Sequence, residues 1–335
     1  MIRTIIKGVG HYVPPRVVTN DDLSKLMNTS DEWIVQRTGI KERHYIEDGV
    51  GASDLAKEAA QMALARAGMT AQDLDAILFG TLSPDLNFPG SACLLQHSLG
   101  CRQIAAMDIR TQCTGFLYGM QTADALIRTG VYRNVLVVGA EVHSTGLDFS
   151  DRGRDVTVLF GDGAGAAVLC GEESSGQTDD RGLLFTKVAA DGSGARDLCV
   201  TAPTSARIPR ITKDMLDEGL HYPHMNGRTV FRWATEKMPE VSLEAMRALN
   251  LTAADITWFV PHQANLRINE MVAKRLGIPE ERCWNNIVRY GNTTAATIPI
   301  GLSELWGEGK LKAGDLILLS AFGSGFTWGS AILRM

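Results

Sequence analysis

Three residues of this chain have types and settings that suit thioester chemistry. Cys113 lies in Asp108-Ile-Arg-Thr-Gln-Cys-Thr-Gly-Phe-Leu-Tyr-Gly-Met, where a strand-like run ends and helical spacing begins at Phe116. That places the thiol at a strand-to-helix turn. Free backbone N–H groups and the positive end of a helix dipole lower a thiol pKa from about 8.5 and favour the nucleophilic thiolate. His262, in Phe259-Val-Pro-His-Gln-Ala-Asn-Leu-Arg-Ile, follows an apolar run that Pro261 ends, and a helix pattern comes after it. A side chain at the carboxyl end of a strand points into a crevice rather than a core. Asn292, in Tyr290-Gly-Asn-Thr-Thr-Ala-Ala-Thr, opens a small-residue helix. Taken singly, each has a plainer reading: a buried structural cysteine, a satisfied core histidine, a helix N-cap. Taken together, a thiol, an imidazole and a carboxamide suit acyl transfer through a covalent thioester.

Other patterns carry less. Gly161-Asp-Gly-Ala-Gly-Ala-Ala-Val-Leu is faintly like a dinucleotide fingerprint, but a strand pattern follows the first glycine and no Gly-x-Gly-x-x-Gly is completed. It reads as a tight turn into a buried strand. His221-Tyr-Pro-His224 lacks nearby partner ligands for a metal. Cys93, His97 and Cys101 have helical spacing in part and read as core.

The elements that must hold these residues alternate. Short apolar runs at Ala76–Phe79, Val135–Gly139, Ala166–Leu169, Thr257–Val260, Leu316–Leu319 and Ala331–Leu333 are buried-strand candidates. Helices are expected from Ser53, as N-cap, to Ala67 with Gly68 as stop, over Ser242–Leu249, and over Asn265–Leu276 before Gly277 and Pro279. Strands alternating with helices predict an α/β architecture with largely buried sheets.

The chain also repeats itself. Met69-Thr-Ala-Gln-Asp-Leu-Asp-Ala-Ile-Leu aligns with Leu251-Thr-Ala-Ala-Asp-Ile-Thr-Trp-Phe-Val, an offset of 182. Val135-Leu-Val-Val-Gly-Ala aligns with Leu316-Ile-Leu-Leu-Ser-Ala at 181, and Gly165-Ala-Ala-Val-Leu with Gly329-Ser-Ala-Ile-Leu at 164. A period this long excludes a solenoid and predicts two packed copies of one α/β motif. Their junction falls near the polar stretch Glu172–Asp180, giving halves of residues 1–172 and 173–335. In this frame the turn holding Asn292 falls within a few residues of the equivalent of Cys113. A thiol from one half can then face an imidazole and an amide from the other.

With 335 residues, 36.3 kDa, 45% hydrophobic and 21% charged residues, the chain is ordinary globular in composition. A formal charge of −5 and a pI of about 5.8 argue against a nucleic-acid partner. Six cysteines without a CxxC pair predict reduced thiols and a cytoplasmic protein. The N-terminus has no signal-peptide pattern. Leu316–Leu333 is uncharged and about long enough to span a bilayer. It holds Gly323, Gly325, Gly329 and three serines, so it reads as two strands and a turn, with no membrane partner.

Five motifs carry a resemblance to a known family: Asn28-Thr-Ser-Asp-Glu-Trp-Ile-Val-Gln-Arg-Thr-Gly-Ile, Phe160-Gly-Asp-Gly-Ala-Gly-Ala-Ala-Val-Leu, Val260-Pro-His-Gln-Ala-Asn-Leu-Arg-Ile, Gly291-Asn-Thr and Ala321-Phe-Gly-Ser-Gly-Phe-Thr-Trp-Gly-Ser-Ala. In this order, from about residue 2 to 334, they resemble β-ketoacyl-acyl-carrier-protein synthase III. The resemblance implies a thiolase-like fold: two βαβαβαββ halves in a five-layer αβαβα sandwich, as a homodimer. It implies Cys113 as the acyl-accepting nucleophile, with His262 and Asn292 as partners. It implies backbone oxyanion donors at Cys113 and Ser324, the latter where the family usually has glycine. Trp33 and Arg152 would sandwich the adenine of coenzyme A, Arg37 would meet its polar end, and Phe231 would line the pantetheine tunnel. Arg267 would dock an acyl carrier protein, and Phe88 would close the partner's acyl pocket. Acyl-CoA, then malonyl-ACP or malonyl-CoA, would be the substrates, in fatty acid initiation or a related secondary-metabolite route, with no metal or redox cofactor. The chain departs from housekeeping members at Thr111-Gln112, where alanines are usual, and in a longer stretch from Thr201 to Asn226. Its nucleophile segment is closer to the branch serving quinolone and other secondary-metabolite starters. Other readings are an acyltransfer from Cys113 to an alcohol or amine without decarboxylation, a nucleotide-binding oxidoreductase, and a non-catalytic carrier-protein partner.

Overall fold

Strand runs that are apolar at every position need cover on both faces. The computed structural model, which describes residues 1–175, 177 and 180–335, supplies it with two sheets and three helical layers. The first sheet orders its strands Ile2–Tyr12, Gly163–Glu173, Asn134–Glu141, Ala76–Gly80 and Ala105–Ile109. The second orders Gly182–Ala190, Thr327–Arg334, Leu316–Gly323 and Trp258–Pro261. In both, the first two pairings are antiparallel and the next is parallel. The first sheet adds a fifth, parallel strand. In the second that strand shrinks to a single parallel bridge, Phe259 to Cys283.

Alternation along each strand assigns the layers. Ile77, Phe79, Leu136 and Val138 face one way, against the helix Ala52–Ala67 and its neighbour Ser91–Ser98. Leu78 and Val137 face the other way, onto a middle layer with Phe116, Leu117, Ile298 and Leu302. These come from the helices Gly115–Arg128 and Thr297–Gly307. Ile317 and Leu319 close that layer from the second sheet. Leu318 and Ile332 turn outward against Met238, Val272 and Leu276, on the helices Gly227–Ala248 and Leu266–Leu276. The order is helix, sheet, helix, sheet, helix.

Two expected helix starts need correction. The helix after Gly51 begins at Ala52 with Gly51 as N-cap. Asp54 accepts the Gly51 N–H at 2.9 Å, and Ser53 instead donates its hydroxyl to Asp85. The helix expected from Ser242 begins at Gly227, capped by Asn226, and carries Pro239 inside it. Its first residues, Gly227, Arg228 and Thr229, are exposed, and the apolar face begins at Val230 and Phe231. The uncharged segment at 316–333 is two paired strands and a turn, and among the described residues no helix is long and apolar enough to cross a membrane. The boundary expected after residue 172 falls at the end of the strand Gly163–Glu173, and residues 176, 178 and 179 of the junction lie outside the described residues. The long stretch after Thr201 is closed at its base by a two-residue ribbon pairing His224 with Cys199 and Met225 with Leu198.

Candidate active site

The strand Ala105–Ile109 and the helix Gly115–Arg128 meet at an elbow. Gln112 turns it with φ of 49°, a left-handed conformation rare outside glycine. Cys113 follows in the single tight turn Gln112–Thr114. The second half repeats the elbow: Thr294, 182 positions on, has φ of 50°, and the turn Thr294–Ala296 enters the helix Thr297–Gly307. The counterpart of Cys113 is therefore Ala295, so one copy alone carries sulfur. Each elbow is pressed by bare backbone of the other half. A Cβ on Gly323 would lie 2.6 Å from the Cys113 Cβ, and one on Gly139 would lie 2.2 Å from the Ala295 carbonyl oxygen.

Cys113 is 7% exposed. Burial pushes its thiol up to about 12, the nearby Glu141 carboxylate adds to the rise, and the backbone N–H groups of Ser324 and Cys113 pull it down. The expected lowering of the thiol is overturned, because desolvation of the anion outweighs the N–H groups. His262 is held by its backbone N–H to the Ser320 carbonyl at 2.8 Å. Its Nδ1 lies 2.8 Å from the Thr297 hydroxyl, and its buried Nε2 has no partner. Burial lowers its pKa to about 3, so the ring is neutral. Asn292 accepts the Thr294 N–H on Oδ1 at 2.8 Å, which leaves its Nδ2 to donate elsewhere. Its capping geometry and its availability for chemistry coincide in one side chain.

Cys113, His262 and Asn292 line one cavity of about 870 Å³, with Trp33, Arg37, Phe231 and Arg267 also on its wall. Two guanidinium groups cover the Trp33 ring: Arg37 at 4.2 Å and Arg154 at 4.7 Å from its centroid. Arg152, which the resemblance places across the coenzyme A adenine from Trp33, does not touch the indole ring. It is drawn away by Asp148, 2.6 Å from its Nε, and lies over Tyr222. A second cavity of about 570 Å³ reaches Cys113 from another side and includes Ser324 in its lining. Cys113, Phe160 and Leu198 belong to both cavities. Phe88 is 83% exposed and lines neither.

Some residues of the site went unread. His143, buried at the end of the strand Asn134–Glu141, sets Nε2 2.6 Å from the Thr294 hydroxyl and packs on Phe160. Its position after a strand was the available signal. Asp162, read only as part of a turn, accepts the N–H groups of Ile46, His143 and Ser144. Arg154 falls two residues past the motif position that drew attention to Arg152. Of the weaker patterns, Cys93 and His97 are exposed rather than core, and His221 lines the second cavity. Among the described residues no group of three or more His, Cys, Asp or Glu is placed to hold a metal ion.

A buried cysteine on one half's elbow, sharing a cavity with an imidazole and a carboxamide from the other half, is an arrangement suited to acyl transfer on a duplicated α/β frame. Residues 107–192 match the family described as 3-oxoacyl-[acyl-carrier-protein (ACP)] synthase III, and residues 246–335 match its C-terminal part. The chain is 44% identical over 329 residues to a β-ketoacyl-[acyl-carrier-protein] synthase III of Caldanaerobacter subterraneus, covering 98% of this chain and 97% of that one. It is 45% identical to the protein of that name from Bradyrhizobium diazoefficiens, covering 99% of both. The crystal structure of 3-oxoacyl-[acyl-carrier-protein] synthase III from Aquifex aeolicus superposes with a TM-score of 0.89 at 41% identity, over 99% of this chain and 100% of that one. The priming β-ketosynthase of the R1128 polyketide pathway superposes with a TM-score of 0.86 at 29% identity, over 99% of this chain and 96% of that one. The chain belongs to the β-ketoacyl-[acyl-carrier-protein] synthase III family and has the thiolase-like fold.

Proposed function

We propose that the chain is a condensing enzyme that loads an acyl group from acyl-CoA onto Cys113 and joins it to a malonyl thioester with loss of carbon dioxide. The observation that carries this is the sulfur at the meeting of two cavities, one of them shared with His262 and Asn292. In the first step sulfur bonds to the acyl carbon, and the N–H groups of Cys113 and Ser324 hold the oxyanion. One such donor is worth about 3–4 kcal/mol. The C–S bond to coenzyme A breaks, and the coenzyme leaves as its thiol with the proton that Cys113 sheds. In the second step malonyl thioester enters the emptied cavity. Decarboxylation places charge on its thioester oxygen, and His262 Nε2 and Asn292 Nδ2 donate hydrogen bonds to it. Asparagine does not titrate, so its part is hydrogen bonding. The carbanion then attacks the acyl carbon, and the Cys113 sulfur leaves.

On this reading residues 1–172 carry the nucleophile and residues 173–335 its partners. Trp33 and Arg152 flank the adenine of coenzyme A, with Arg154 also on the indole, Arg37 meets the coenzyme's polar end, Phe231 flanks the pantetheine, and Arg267 docks the acyl carrier protein. Phe88 closes the pocket of a second copy in a cytoplasmic homodimer, and no metal or redox cofactor takes part. Intact-protein mass spectrometry with acyl-CoA thioesters tests the first step: Cys113→Ala abolishes the adduct, and an adduct forming at the normal rate refutes the assignment. Carbon dioxide release from malonyl thioester tests the second: Asn292→Ala spares loading and depresses decarboxylation, whereas equal loss in both steps refutes the division of labour.

A further inference from the structure

The two N–H groups that hold the oxyanion come from different halves. One belongs to Cys113, in the turn Gln112–Thr114. The other belongs to Ser324, in the turn between the strands Leu316–Gly323 and Thr327–Arg334. One oxygen can use both only if each stands about 2.7–3.1 Å from it. Contacts that cross between the halves therefore have to set their separation. Steric contact sets one limit: a Cβ on Gly323 would lie 2.6 Å from the Cys113 Cβ, so the two backbones already meet. Such contact resists approach and does nothing against opening. Opening is resisted only by a tie, and the side chains beside the two donors supply one. Thr114 follows the nucleophile and is fully buried, and Thr327 lies three residues after Ser324 and is 7% exposed. Their hydroxyl oxygens are 2.9 Å apart.

Their protons orient the pair. Thr327 Oγ1 lies 3.0 Å from the Ser324 carbonyl oxygen, and Thr114 Oγ1 lies 2.7 Å from the Thr111 carbonyl oxygen. The Thr111 carbonyl already accepts the Thr114 N–H at 3.2 Å. Two hydroxyls have two protons to place. When Thr114 donates to Thr327 and Thr327 donates to the Ser324 carbonyl, the acceptors on Thr111, Thr327 and Ser324 are all matched. Two hydrogen bonds in series then lead from the residue after the sulfur to the residue that carries the second donor. On its other side Ser324 donates its hydroxyl to the Leu198 carbonyl, so the loop is held from both directions. We infer that Thr114 and Thr327 are positioning residues for the oxyanion, tying the two halves so that the Cys113 and Ser324 N–H groups converge on one point. Neither lines either cavity, so both act through the donors they hold. This rests on the condensing-enzyme reading and names what fixes the geometry of its first step.

The test compares two reactions of the same sulfur on the full-length protein. Loading from an acyl-CoA passes through an oxyanion. Alkylation by iodoacetamide displaces iodide from a saturated carbon and does not. Both rates are read by mass spectrometry of the peptide that contains Cys113, with whichever of acetyl-CoA, butyryl-CoA and octanoyl-CoA loads the wild type fastest. Removing one oxyanion donor costs about 10²–10³-fold, and displacing one costs less. Thr327→Val and Thr114→Val should each slow loading by at least about tenfold, with half-saturation by the acyl-CoA unchanged and alkylation within about twofold of wild type. Thr327→Ser and Thr114→Ser keep the hydroxyl and should load within about threefold of wild type. Valine variants that load at the wild-type rate overturn the inference and leave the condensing reading standing. So do valine variants in which loading and alkylation fall together, since that is displacement of the sulfur itself. If Thr327→Val fails to fold, Thr114→Val reads the same pair of rates. A wild-type protein that forms no adduct with any of the three thioesters overturns the condensing reading, and this inference falls with it.

Discussion

At the scale of single residues, the proton arrangement around His262 turns on Thr297. The Thr297 hydroxyl lies 2.8 Å from His262 Nδ1 and 3.0 Å from the Thr294 carbonyl oxygen. When it donates to the carbonyl it accepts from Nδ1–H, and Nε2 presents a lone pair. When it donates to Nδ1, Nε2 carries the proton. Loading gains from a lone pair that can steady the thiol proton, and decarboxylation requires an N–H at Nε2. A hydroxyl free to rotate serves both steps without charging a ring that burial keeps neutral. Thr297→Val removes that choice, and the expected outcome is a fall of about tenfold or more in malonyl decarboxylation, with Thr297→Ser close to wild type; carbon dioxide release from malonyl thioester measures it. Equal rates for the valine and serine variants would remove Thr297 from the argument. Gly323 makes a steric point. With the Cys113 Cβ 2.6 Å from where its own Cβ would be, Gly323→Ala must shift the nucleophile's elbow. The expected cost is about 1–3 kcal/mol in stability, with a loss of acyl loading larger than that of Asn292→Ala, checked by the same adduct assay.

At the scale of elements, the helix Thr297–Gly307 is buried from Thr297 to Leu305, yet it carries Glu304. That carboxylate accepts from Trp284 Nε1 and Asn286 Nδ2 on one oxygen. On the other it accepts from Arg289 Nη2 and Tyr290 hydroxyl. It thereby fastens the central helix to the segment just before Asn292. Glu304→Ala leaves several donors unmatched, and the expected loss is about 2–4 kcal/mol, whereas Arg289→Met, with a half-exposed side chain, costs under about 1 kcal/mol. Urea unfolding of both variants checks the order, and equal losses would put the weight on the ion pair instead. The same segments show what a sequence can reveal. Runs such as Leu316–Leu319 are apolar at every position, so their burial and strand character are legible. The repeat at 182 residues is legible because Thr70 with Asp73 and Thr252 with Asp255 build the same turn in each half. The start of the helix Gly227–Ala248 is less so, because Gly227, Arg228 and Thr229 are exposed while Val230, Phe231 and Ala234 divide between the cavity wall and the core. The fifth strand of the second sheet is not, because a single residue, Cys283, stands for it. Cys113, His262 and Asn292 are legible by residue type at element ends. That Arg154 rather than Arg152 joins Arg37 on Trp33 goes with Asp148 holding Arg152, a contact that motif position does not encode.

At the scale of the whole molecule, the site's burial sets a pH dependence on stability. His143 and His262 are both buried, and burial holds each at about 3. In the unfolded chain they return to about 6.5. Between those values the unfolded state binds more protons, so their effect is stability that is complete above about pH 6.5 and is lost as pH falls toward 3. Glu141 acts in the opposite sense. Burial raises it to about 7 from about 4.3 unfolded, so the folded state holds the extra proton, and stability is lost as pH rises through that window. Asp162 is raised by the same cause. His11 is lowered by burial as well, so near pH 5.5 three histidines stand against Glu141 and Asp162 and set the sign, and wild-type stability rises with pH. One group fully protonated in one state and not in the other contributes a slope of about 1.4 kcal/mol per pH unit. His262→Asn should flatten the dependence by close to that amount, because the variant no longer gains a proton on unfolding. Glu141→Gln should steepen it by a similar amount. Unfolding free energies from urea titrations at about pH 5, 5.5 and 6 measure the three slopes. If the His262→Asn slope matches wild type, the imidazole is charged in the folded protein. It would then be unable to switch between lone pair and N–H at Nε2, and the roles given to Thr297 and to a neutral His262 would fall together.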